Sequence, residues 1–140
     1  MQVQFEAPEN GWILIELTLV KSSRRALVAH IPDDVLTQLI CALVRLQAGS
    51  PIEQVTWSLE PDLWTWSFAR LENEVVEFRE SISPELQSSA RLPLTELLRI
   101  FTSALTRLES AEIWSAEDRP RHWTWEFPSR DLAILREKSG

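Results

Sequence analysis

Glycine is scarce in this chain, cysteine nearly absent and tyrosine missing: 140 residues include three Gly, one Cys and no Tyr. Backbone amides that cradle a phosphate need several glycines in one loop. No G-x-G-x-x-G, P-loop or G-x-S-x-G run occurs, which argues against nucleotide enzymes and elbow-type hydrolases. A single cysteine, Cys41, rules out an intrachain disulfide framework and fits a reducing compartment. It falls inside a helical pattern and reads as a buried structural thiol rather than a nucleophile. With His30 and His122 as the only histidines, zinc ligands at local spacing are missing too. His122, close to Pro120, reads as a solvated or capping residue, and His30 as half-buried.

Long apolar runs are also lacking. No stretch approaches the roughly 20 residues of a membrane span, and Met1–Glu6 has neither the cationic start nor the apolar core of a signal peptide. The expectation is a cytoplasmic protein that makes no membrane contact.

Charge is uneven along the chain. Residues 1–49 carry five acids and four bases, and residues 86–140 carry eight of each. Residues 50–85 carry eight acids against Arg70 and Arg79, so nearly all of the net −7 sits in that quarter. A field of this sign repels nucleic acid and attracts basic proteins.

What the chain has in excess is tryptophan, seven residues, and the indoles recur in a pattern. Trp64-Thr65-Trp66-Ser67-Phe68 returns as Trp123-Thr124-Trp125-Glu126-Phe127, and Trp57-Ser58 as Trp114-Ser115. Ahead of them, Ala42-Leu43-Val44-Arg45-Leu46 is echoed by Ala104-Leu105-Thr106-Arg107-Leu108. The offsets between copies drift, as in a diverged duplication with changes in its loops. One domain over 1–140 with pseudo-repeats near 33–82 and 94–138, each a helix followed by aromatic strands, is the expected organisation.

Alternation predicts strands over Trp12–Val20 and Arg25–Ile31. Leu36, Leu39, Ile40, Leu43 and Leu46 predict a helix from Val35 to about Gln47 that buries one stripe. Three strands follow, with Val55/Trp57, Trp64/Trp66/Phe68 and Val76/Phe78 turned inward and polar residues outward. Residues 83–93 read as a Ser-rich connection, extended in part. A second helix spans about Leu94–Glu109, followed by a weak strand at Ile113-Trp114, an exposed charged loop at 115–121 and a strong strand from His122 to Phe127. For the last segment the repeat demands a strand, whereas Ser129 as N-cap and the helix-forming residues from Asp131 to Lys138 favour a short helix ending at Gly140.

The expected fold class is therefore α+β: a mostly antiparallel sheet, two long helices packed on one face and a short C-terminal helix. In size, acidity, α+β build and lack of a catalytic motif, the chain resembles the small acidic immunity proteins of bacterial toxin–immunity pairs. The resemblance covers general character across the chain and rests on no diagnostic motif. It implies a non-enzymatic binding module that neutralises a basic partner, such as a toxin, by electrostatic docking. Glu60, Asp62, Glu72, Glu74 and Glu77, at strand ends, turns and the wet face, are the expected partner-binding residues, with solubility as the plainer reading of the same charge. No catalytic, cofactor-binding or metal-ligating residue is expected. Two alternatives remain: a sugar or small ligand held in a Trp-lined pocket, and a homo-oligomer joined through an exposed strand edge.

Overall fold

Each of two antiparallel meanders leads into a long helix in the computed structural model, which describes residues 1–139. The first meander is β1 (Gln2–Phe5), β2 (Trp12–Thr18) and β3 (Ser23–Ala29), followed by α1 (Val35–Gln47). The second is β4 (Ile52–Ser58), β5 (Leu63–Arg70), β6 (Val75–Ser83) and β7 (Leu86–Pro93), followed by α2 (Leu94–Glu109). A short α3 (Arg119–His122) and then α4 (Ser129–Ser139) complete the chain. Every strand pairs with its sequence neighbour. The α+β class is observed, with its antiparallel pairing, two long helices and C-terminal helix, and the strands divide between a three-stranded and a four-stranded sheet. The expected helix end at Gly140 lies outside the described residues.

Local chemistry fixes the helix ends. The Asp34 carboxylate accepts the Thr37 amide (3.3 Å) and hydroxyl (2.7 Å), capping the start of α1. At its other end Arg70, reaching from β5, donates to the carbonyls of Leu46 (2.7 Å) and Gln47 (3.1 Å). Those are C-terminal carbonyls with no intrahelical donor, and a cation suits that end of the dipole. Gly49 follows at φ +118, a conformation that side chains other than glycine rarely adopt.

The core forms where the helix stripes meet the aromatic strand faces. Trp57, Trp64, Trp66, Phe68 and Phe78 are fully buried. Phe101 of α2 meets Trp66 at 5.9 Å and Phe68 at 5.7 Å, and Phe5 of β1 reaches Trp57 at 6.3 Å. A fully buried apolar side chain of this kind contributes about 1.5–3 kcal/mol. Leu132 and Leu135 of α4 are buried where that helix packs on α1 and α2.

Four segments differ from the sequence reading. Trp123-Thr124-Trp125-Glu126-Phe127 forms no strand. Its first copy lies between β4 and β6, whereas here no strand is paired alongside and the carbonyls of Trp123 and Thr124 both accept from Arg119 Nη1 (2.8 Å each). Ile113 and Trp114 lie in a 3-10 turn (Glu112–Ser115), and part of the charged loop forms α3. The Ser-rich connection supplies β7, which pairs with β6 although only Ala90 and Leu92 of it are buried. Finally, β1 pairs with β2 ahead of the first expected strand.

Candidate protein-docking surface

Alternation along β2 and β3 turns Trp12, Leu14 and Glu16, with Arg25 and Leu27, away from the core. Leu14 stands opposite Leu27 and Glu16 opposite Arg25. One end of this face is polar, closed by the Arg25–Glu16 ion pair at 3.1 Å. The other is apolar: Trp12 and Leu14 are half-buried and Leu27 is 53% exposed. Two shallow hollows open around these three side chains. Leu59 lines the first and Glu6 and Glu9, from the β1–β2 loop, line the second.

Leu59 belongs to the β4–β5 hairpin, whose turn is closed by its amide on the Asp62 carbonyl at 2.8 Å. The tip residues Glu60, Pro61 and Asp62 are exposed, and so is Leu63 beside them. Glu6 and Glu9 thus stand at the edge of an apolar centre of Trp12, Leu14, Leu27 and Leu59, and Glu60 and Asp62 follow Leu59 at the hairpin tip. None of the four forms an ion pair among the described residues. An apolar centre within a charged rim is the anatomy of a protein–protein interface, and a partly open Trp is the residue type that most often anchors one.

The five expected partner-binding acids do not form one patch. Glu60 and Asp62 sit together at the hairpin tip. Glu72 and Glu74 lie past the opposite end of β5, and its eight residues at about 3.3 Å each separate the two pairs by roughly 26 Å. Glu74 is paired with Arg70 at 3.4 Å. Glu77 lies on the open face of the four-stranded sheet between Arg91 (2.9 Å) and Arg79 (3.0 Å). The Arg91 hydrogen bond, with help from Arg79, holds its carboxyl below the usual range despite partial burial. Three guanidinium groups in all reach the acidic segment from outside it: Arg24, Arg45 and Arg91 pair with Glu80, Glu53 and Glu77. Opposite charges brought in by the fold neutralise much of what the linear sequence counts as one anionic field.

Glu80 is hidden altogether, 1% exposed on the inner face of β6. It is held by Arg24 Nε and Nη2, by the Trp64 indole N–H (2.9 Å) and by the Ser88 hydroxyl (2.8 Å). Burial pushes its carboxyl up, but the bonds from Arg24, Ser88 and Trp64 and the Arg24 charge outweigh that and hold it low. This cluster ties β3 of one sheet to β5, β6 and β7 of the other.

The first aromatic stripe is shut inside the core, and the second is shut in at Trp123 but half-buried at Trp125 and Phe127. Trp64, Trp66, Phe68 and Trp123 are fully buried. Both histidines serve the joint at which the second stripe docks. The Asn10 amide donates to His122 Nδ1 (2.9 Å), the Trp125 indole donates to the His30 carbonyl (2.9 Å), and the Thr124 hydroxyl lies 2.5 Å from His30 Nδ1. Burial, reinforced by Asp131, pushes the Cys41 thiol up, away from thiolate reactivity. Among the described residues no group of three metal-ligating side chains gathers, and no helix is long and apolar enough to cross a membrane.

No family model matches this chain, and neither a curated protein nor a solved structure does. The functional reading therefore stands on the site. Of this candidate surface the sequence pointed to Glu60 and Asp62 as expected partner-binding residues and not to Trp12, Leu14, Leu27 or Leu59. The signal available was the outward register of β2, in which Trp12, Leu14 and Glu16 alternate with the buried Ile13, Ile15 and Leu17.

Proposed function

We propose that this chain is a non-enzymatic protein-binding module that docks a basic partner protein, in the manner of the immunity proteins it resembles. The observation that carries the reading is the apolar centre of Trp12, Leu14, Leu27 and Leu59, with Glu6 and Glu9 at its edge and Glu60 and Asp62 on the hairpin tip next to Leu59, none of the four in an ion pair among the described residues. A cationic protein would bury the apolar centre and supply counter-charges to the rim, which also speeds encounter. Glu72, Glu74 and Glu77 stand outside this surface and keep a solubilising role.

Co-expression with the basic product of an adjacent reading frame, followed by association kinetics, tests the proposal. The expected result is a complex whose association rate falls steeply with salt and which Leu27→Asp weakens about 30-fold, the scale of a hot-spot residue. A complex indifferent to both salt and Leu27→Asp would overturn the assignment, as would failure of every cationic candidate to bind.

A further inference from the structure

The molecule has four sheet edges, and three of them are guarded. β3 carries Arg24 and Arg25, β4 carries Glu53, and β7 carries Arg91 and Pro93. Charges and proline along an edge are the usual devices against strand-to-strand pairing. β1 reads Gln-Val-Gln-Phe and has neither.

Its backbone is also set up to accept a neighbour. The Glu6 amide donates to the Leu14 carbonyl at 2.9 Å, which makes Glu6–Leu14 a hydrogen-bonded pair. In an antiparallel ladder such pairs recur at every second residue, so Gln2 and Gln4 also turn their amides and carbonyls toward β2. Val3 and Phe5 turn theirs the other way, outward. That outward edge lines a groove of about 560 Å³ whose far wall is the α2 stripe Ile100, Ser103, Ala104 and Arg107. The small side chains Ser103 and Ala104 stand in the middle of that wall. Arg107 and Glu6, both in the groove, take part in no ion pair among the described residues.

We infer that this edge pairs with β1 of a second copy of the chain, antiparallel about a two-fold axis. Register and charge both point to a copy rather than to a foreign strand. Antiparallel neighbours keep Val3 and Phe5 on the core side of a joined sheet only if residues of equal parity stand opposite. With Gln4 on the axis, Val3 faces Phe5 of the second copy and Phe5 faces its Val3, which matches outward-pointing residue to outward-pointing residue. Each such pair exchanges two hydrogen bonds, and the two three-stranded sheets become one of six strands. The groove offers one unpaired cation and one unpaired anion, so it is complementary to itself although each chain carries −7. The docking surface on the outer side of β2 and β3 shares Glu6 with this groove, while its apolar centre of Trp12, Leu14, Leu27 and Leu59 lies outside it.

Light scattering over a concentration series, joined to amide exchange, tests this on the full chain. The expected mass rises from 16.2 kDa toward twice that value. The Val3 and Phe5 amides should slow in step with it while the Gln4 amide is protected throughout. Val3→Pro removes an outward N–H without touching the ladder to β2, and should hold the chain monomeric with its secondary structure intact. If that variant fails to fold, Arg107→Glu, which places two acids in the groove, should give the same monomer. A wild-type mass that stays at one chain up to millimolar concentration would overturn the inference. So would a dimer in which Val3 and Phe5 exchange freely, or one that survives Arg107→Glu.

Discussion

The indole N–H of Trp64 donates to the carboxylate of Glu80 at 2.9 Å, joining a repeated aromatic residue to the one buried acid of the described chain. Arg24 completes the pairing from the other sheet, so the cluster reports on how the two sheets meet. Glu80 has its folded-state carboxyl held low, so its stabilisation is complete above the unfolded carboxylate range, near pH 4.3. It is lost as pH falls through the folded value. Glu80→Gln should therefore cost about 3 kcal/mol at neutral pH, the scale of a broken buried pair. The gap to wild type in urea unfolding should close as the pH is lowered toward 3. A gap that does not change with pH would show that the charge on Glu80 contributes nothing.

The two aromatic copies should respond differently to truncation. Trp66, between β4 and β6 and touching Phe101, loses a packed core when cut back: Trp66→Ala should cost about 3–5 kcal/mol. Trp125 is half-buried and makes one bond, to the His30 carbonyl, so Trp125→Ala should cost about 1–2 kcal/mol. Denaturant midpoints of the two variants check the difference, and equal losses would contradict the structural split between the copies.

Gly11 holds the joint between the β1–β2 loop and both histidines. Its φ is +89, and an added Cβ would lie 2.9 Å from the His30 ring. Its amide donates to the His122 carbonyl at 2.8 Å. Gly11→Ala should cost about 1–3 kcal/mol from strain at positive φ, with thermal melting as the measurement. Loss of His122 packing should also raise proteolysis near residues 119–128.

Period and stripe made much of this fold legible: α1 and α2 follow from Leu36–Leu46 and Leu94–Leu108, and β4 to β6 from the alternation around Trp57, Trp66 and Phe78. What period could not carry was partnership. Trp123–Phe127 has the alternation of a strand but no strand beside it, and Arg119 takes carbonyls that a neighbour would otherwise bond. β7 has little alternation, yet β6 offers it a ladder. The site was legible only in part for the same reason. Counting carboxylates between 50 and 85 treats them as neighbours, whereas β5 carries them to opposite ends and Arg24, Arg45 and Arg91 arrive from distant segments. Leu27 and Trp12 become a surface only once β2 and β3 are placed in register.

Leu27→Asp should leave stability within about 0.5 kcal/mol of wild type, because its side chain is largely in solvent. Binding should nevertheless weaken about 30-fold. Chemical unfolding of the free variant beside its affinity for the basic partner separates the two effects. Destabilisation of several kcal/mol would place Leu27 in the core instead.

Charge reversal at the two ends of β5 tests the docking surface most directly. Association with the proposed basic partner should slow at least tenfold for Glu60→Lys/Asp62→Lys, at the hairpin tip next to Leu59 of the Trp12 and Leu27 hollow. Glu72→Lys/Glu74→Lys, roughly 26 Å away along the strand, should change it less than twofold. Equal slowing by both pairs, or slowing by the Glu72/Glu74 pair alone, would contradict the account.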